Sequence, residues 1–164
     1  MKYRKGINMN YSKEVIKAIN IMCEAHKGKV DKSGVPYIFH PYHVAEQMEF
    51  TDSTVAALLH DVVEDSDWTI ERLRAEGISE DVLEALELLT HKKYVPYLDY
   101  IKAMTNNRIA MEVKIADLCH NMDKTRFCGE IPEFYKKKYE TYRQALDILE
   151  RAYNEYIENS IEGF

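Results

Sequence analysis

Between Ala56 and Asp65 the chain reads AALLHDVVED, which sets one imidazole and three carboxylates, His60, Asp61, Glu64 and Asp65, close together. Such a group can ligate a divalent cation or move a proton. In a helix each residue advances by about 100°, so with His60 at zero Asp61 falls at about 100°, Glu64 at about 40° and Asp65 at about 140°. Leu58, Leu59, Val62 and Val63 take the remaining arc. One face is then apolar and the other gathers the imidazole and the carboxylates. Like charges one turn apart repel unless a cation compensates. A metal is the economical reading, and a solvated acidic face is the plain alternative. The preceding run TVAALL is typical of a central helix and favours a site.

Two further segments carry the same chemistry. In PYIFHPYHVA, His40 stands just before Pro41, where a helix can begin and a side chain can point into a cleft. His43 reads as a surface or packing residue. In VKIADLCHNMDK, Asp117 and Asn121 are four apart and share a helical face, with Lys114 one turn earlier. That face lies opposite a stripe of Ile109, Val113, Ala116 and His120. Asp117 is therefore a candidate ligand, and His120 reads as a packed or hydrogen-bonded core histidine.

The elements that must position these groups are helical. Ser12 can cap a helix bearing Val15, Ile16, Ile19, Met22 and Cys23. The loop KGKVDKSGVPY follows, then a short helix opened by Pro41 with Val44 and Met48 inward. Ser53 is expected to cap the helix of the first motif. Thr69 starts another, ended by Gly77. Ser79 and Pro96 start two more, one helix spans about residues 107–122, and a long amphipathic helix follows Pro132. No convincing alternating strand, internal repeat or linker is found. The expectation is one compact all-α domain over residues 1–164, a bundle of roughly eight helices.

Composition bounds the function. The 164 residues suit one domain, 46% are hydrophobic, and six glycines and four prolines favour helices over a turn-rich β fold. A net charge of −6 argues against a general nucleic-acid binder, although a local basic cluster can still hold an anionic substrate. Cys23, Cys119 and Cys128 have no CxxC spacing and read as reduced thiols of a cytoplasmic protein. The sequence has no membrane-spanning stretch, and MKYRKGINMN lacks the apolar core of a signal peptide. The sequence leaves the oligomeric state open.

The order His40, His60-Asp61, Asp117 resembles the HD superfamily of metal-dependent phosphohydrolases. SGVPYIFHPYHVA, AALLHDVVEDSDWT and VKIADLCHNM closely resemble the hydrolase domain of the alarmone-metabolising RelA/SpoT family, its small stand-alone hydrolases in particular. The resemblance runs from about residue 26 to residue 123 and, more faintly, into the last helix. It implies that His40, His60, Asp61 and Asp117 bind one divalent cation, usually Mn²⁺. Two imidazoles and two carboxylates suit Mn²⁺, Fe²⁺ or Zn²⁺. Glu64 and Asp65 match the family's ED pair, assigned to the attacking water or to holding the ligands. The implied reaction removes pyrophosphate from the 3′ position of guanosine 5′-di- or triphosphate 3′-diphosphate.

The loop VDKSG matches a family loop that usually reads Arg-Lys-Ser-Gly. Lys32, Ser33 and Gly34 match, with Lys32 and Ser33 facing substrate. Asp31 replaces the arginine that in the family stacks on guanine, and Lys29 could compensate. Asn121 matches a ribose-contacting asparagine. Lys138 and Tyr142, four apart in the last helix, sit where the family places a basic residue and a tyrosine near the nucleotide. The chain ends at Phe164, so hydrolysis and not synthesis of an alarmone is expected. Two alternatives remain at this point: an HD phosphohydrolase acting on another nucleotide, which Asp31 supports, and a catalytically silent nucleotide-binding module, which would predict eroded ligands.

Overall fold

The computed structural model describes residues 9–127, 129–131 and 133–162. Cys128, Pro132 and the N-terminal segment used to judge a signal peptide lie outside the described residues. The fold is all-α. In order the helices are α1 (Lys13–Ala25), α2 (Phe39–Ala45), α3 (Thr51–Leu59), α4 (Val62–Asp65), α5 (Ile70–Ala75), α6 (Glu80–Leu89), α7 (Tyr97–Ala103), α8 (Arg108–Asn121) and α9 (Glu133–Glu162). A 3₁₀ turn, Lys124–Arg126, joins α8 to the segment before α9.

Most boundaries follow local chemistry. Ser12, Thr69 and Asn107 cap α1, α5 and α8, their side chains accepting from the amides of Val15, Arg72 and Ala110. Gly77, at φ +81°, stops the chain just beyond α5 in the left-handed region where a Cβ is disfavoured. Two expectations are corrected. Ser53 does not cap α3; it is fully buried inside it, because the helix starts at Thr51. Pro41 does not open α2, which already includes Phe39 and His40.

The helix of the first motif is also broken, with α3 ending at Leu59 and α4 beginning at Val62. The cause is local. The Nδ1 of His60 donates to the carbonyl of Ala57 at 2.7 Å, the acceptor a continuing α-helix would offer to the amide of Asp61. His60 and Asp61 thus occupy a turn, and the uniform 100° spacing does not carry across it. This break adds one short helix to the number expected.

Two helices form the centre. Every residue of α3 from Ser53 to Leu59 is buried, and α3 packs on α1, α2, α6 and α8. Helix α8 buries both of its faces, Ile109, Val113 and Ala116 on one and Asp117 on the other, against α2, α3, α6 and α9. The far end of α3 is tied to α8 by a polar network. Arg108 donates to Asp52 at 2.5 Å, to Ser53 at 3.2 Å and to Glu112 at 3.0 Å. Ser53 donates to Glu112, whose other oxygen accepts from Tyr153 of α9 at 2.9 Å.

Candidate metal centre and nucleotide cavity

The end of α3, the first turn of α2 and the middle of α8 bring the predicted ligands together. His40 Nε2 lies 3.6 Å from Asp61 Oδ2 and 3.2 Å from Asp117 Oδ1. His60 Nε2 lies 3.0 Å from Asp61 Oδ2 and 3.9 Å from Asp117 Oδ1. The ligand-capable atoms of His40, His60 and Asp61 are all within 4.8 Å of one another, close to the spread allowed on a coordination sphere of about 2.1–2.3 Å radius. Asp117 flanks them.

The donor set fits a cation. With its Nδ1 proton given to Ala57, His60 presents the Nε2 lone pair, which is buried and makes no hydrogen bond. Facing it at 3.0 Å is a carboxylate oxygen. Two acceptors at that distance repel unless a proton or a metal cation lies between them. The titration shows the same demand. Burial opposes a charge on His60, but Asp61 and then Asp117 outweigh it and raise the imidazole to about 9. Asp61 and Asp117 are both pushed below the usual carboxylate range. Burial acts the other way, but His60 overcomes it for Asp61 and Lys114 for Asp117.

A set of supporting contacts orients the ligands. Tyr37 donates its hydroxyl to Asp61 Oδ2 at 2.5 Å. Lys114 and Asn121 donate to the two oxygens of Asp117 at 2.8 and 2.6 Å. His40 shares a 2.7 Å hydrogen bond between its Nδ1 and that of His120. Burial, followed by the neighbouring His40, lowers His120 to about 3, so its ring is neutral; in the tautomer in which Nδ1 of His120 accepts from Nδ1–H of His40, Nε2 of His40 is left free for a metal. His43 is half-buried and packs its ring against that of His120, with centroids 4.4 Å apart and planes tilted by 32°. Sequence reasoning did not assign Tyr37. Its place three residues before His40, on the same turn, was the available signal.

The centre opens into a cavity of about 770 Å³. Its walls include His40, Asp61 and Asp117 together with all five predicted substrate contacts, Lys32, Ser33, Asn121, Lys138 and Tyr142. Glu64 also lines it and accepts from the amide of His91 at 3.2 Å. Asp65 does not line it; burial, then the charge of Asp61, raises its carboxyl. The cavity adds groups that sequence reasoning missed, notably Lys137, Arg126 and the rings of Tyr97 and Tyr135. Lys32 is lowered by burial and then by Lys138, as expected where cations converge on room for an anion. Lys29 does not compensate Asp31. Its ammonium donates to the main-chain carbonyl of Asp65, while Asp31 pairs with Arg126 at 2.9 Å. A second cavity, of about 870 Å³, lies beyond His120. Glu49, Glu112, Asp123 and Glu150 line it, and the four ligand candidates do not.

No family model matches the chain. A guanosine-3′,5′-bis(diphosphate) 3′-pyrophosphohydrolase of Haemophilus influenzae is 32% identical over 157 residues, covering 85% of this chain but only 22% of that protein. The guanosine-3′,5′-bis(diphosphate) 3′-pyrophosphohydrolase MESH1 of Danio rerio is 30% identical over 135 residues, covering 74% of each chain. The chain belongs to the guanosine-3′,5′-bis(diphosphate) 3′-pyrophosphohydrolase family. The fold agrees with that of a solved structure described as a metazoan ortholog of SpoT that hydrolyses ppGpp. That structure matches with a TM-score of 0.66 at 20% identity, over 92% of this chain and 97% of the other. No helix among the described residues is long and apolar enough to cross a membrane.

Proposed function

We propose that the chain is a divalent-metal-dependent hydrolase, working with Mn²⁺ in the cytoplasm, that removes pyrophosphate from the 3′ position of guanosine 3′,5′-bis(diphosphate)-type nucleotides to give GDP or GTP. The observation that carries this reading is one cavity lined both by ligand candidates and by lysines. His40, Asp61 and Asp117 line it, with Nε2 of His60 3.0 Å from Asp61, and so do Lys32, Lys137 and Lys138. A bound cation would polarise the phosphorus centre and lower the pKa of a water. The lysines would hold the phosphates, and Asn121, which lines the same cavity, would meet the ribose. Glu64, helped by the raised carboxyl of Asp65, would take the proton of the attacking water. Water oxygen bonds to phosphorus, the bond to O3′ breaks, and a proton ends on O3′.

The reading that another nucleotide is the substrate rested on the carboxylate of Asp31. Arg126 meets that charge at 2.9 Å, so the carboxylate no longer counts against a guanosine substrate. The test is to incubate Mn²⁺-loaded protein with 3′-pyrophosphorylated and ordinary nucleotides. Pyrophosphate release from the former alone supports the reading, and absence of turnover would favour a silent binding module. Asp61→Ala is expected to lose metal binding and activity together. Full activity in that variant would remove Asp61 from the ligand set.

A further inference from the structure

The cations of the nucleotide cavity are not equivalent. Lys32, Lys137 and Lys138 line it. Arg126 lines it too, and its guanidinium is held in place by defined partners. Its Nη2 donates to Asp31 Oδ2 at 2.9 Å and its Nη1 to the carbonyl of His120 at 3.2 Å. Asp31 is fixed in turn, since its other oxygen accepts from the amides of Ser33 at 2.7 Å and Val35 at 3.0 Å. Gly34, at φ +81°, closes this tight turn. The pair bridges two loops 95 residues apart in sequence, and both residues line the cavity.

A guanidinium pinned along its edge by two acceptors, with its charge offset, is a poor clamp for a phosphate. What it retains is a rigid planar face, which stacks well on an aromatic base. Phe127 and Tyr135 line the cavity beside it, their rings 5.0 Å apart. We infer that Arg126 is the residue on which the nucleobase stacks in this chain, and that Asp31 is the residue that positions it. The inference rests on the nucleotide reading above and adds the division of labour within the cavity. The lysines hold phosphate, and the Asp31–Arg126 pair holds the base. Stacking is tolerant of base identity because every base has a π face. The pair therefore sets affinity for the nucleotide without selecting its base.

The probes are GDP and ADP, titrated calorimetrically into the full chain, alongside pyrophosphate release. Arg126→Ala is expected to weaken both nucleotides by about tenfold. KM for the 3′-pyrophosphorylated substrate should rise by a similar factor while kcat changes by less than about threefold. Arg126→Lys keeps the charge but not the plane and is expected not to restore affinity. Asp31→Asn should give part of the loss, and the charge-reversed double variant Asp31→Arg/Arg126→Asp should recover part of it. Unchanged GDP affinity in Arg126→Ala, or wild-type affinity in Arg126→Lys, would overturn the inference. If Arg126→Ala does not fold, Arg126→Lys and Asp31→Asn carry the same test. A wild-type chain that binds GDP but releases no pyrophosphate overturns the catalytic reading alone, and one that binds neither substrate nor GDP overturns both.

Discussion

Replacing Lys114 by methionine tests whether a cation belongs beside Asp117. The two side chains meet at 2.8 Å with only 14% and 5% of their surfaces exposed, so this is a buried pair and not a surface one. Burial disfavours the ammonium, but Asp117 and the rings of Tyr100 and Tyr97 hold it well above its usual value. Removing one member of a buried pair leaves the other charge stranded, at about 3–5 kcal/mol. For a domain of this size each kcal/mol is worth about 2–4 °C, so Lys114→Met should lower the melting temperature by roughly 6–20 °C in chelator. A divalent cation near His40, His60 and Asp61 would supply the missing positive charge. Melting followed by circular dichroism, with chelator and with saturating Mn²⁺, should then show at least half of the loss recovered by metal, beyond the stabilisation metal gives the unchanged protein. An equal loss under both conditions would mean that Asp117 does not sense the cation, and the four-residue ligand set would be wrong.

Tyr37→Phe keeps the ring packed on His26 and His40 but removes the hydrogen bond to Asp61. Metal affinity by isothermal titration should fall about 10–100-fold, and a change below twofold would deny Tyr37 a positioning role. Glu64→Gln should retain metal while kcat falls about 10²–10⁴-fold; normal turnover would transfer the proton to Asp65. His26 is 1% exposed, with neither ring nitrogen hydrogen-bonded, and burial followed by the charge of Lys29 lowers it to about 4. Its folded pKa lies below the unfolded value, so its contribution to stability is full above about pH 6.5 and is lost as pH falls towards 4. His26→Phe should remove on the order of 3 kcal/mol of that pH dependence in urea titrations. Parallel curves for variant and wild type would refute it.

Helix-forming periodicity, capping serine and threonine, and the glycine stop after α5 were legible because each acts within a few residues. The ligand candidates were legible for a related reason, since their types and order survive without coordinates. What local reasoning could not see was competition for a carbonyl. The side chain of His60 ends α3 by taking the acceptor of Asp61, and no helical wheel represents that contest. Ser53 misled for a similar reason, because a serine at a helix start reads as a cap unless its partners on α8 are known. Arg126 was invisible because its meaning lies in a residue 95 positions away.

The network that grips Asp52 and Ser53 also gives α3 the mechanics of a lever. Ser53 is anchored to Arg108 and Glu112, while Leu59, the last residue of α3, stands six residues further on, about 9 Å at 1.5 Å per residue. A tilt of about 6° at the anchored end would sweep the end that carries His60 and Asp61 through about 1 Å, a displacement large enough to spoil a reacting geometry. Charges far from the nucleotide therefore act as a fulcrum whose stiffness sets how accurately His60 and Asp61 meet Asp117. Loosening Arg108 would register as a misaimed site long before it registered as an unfolded protein.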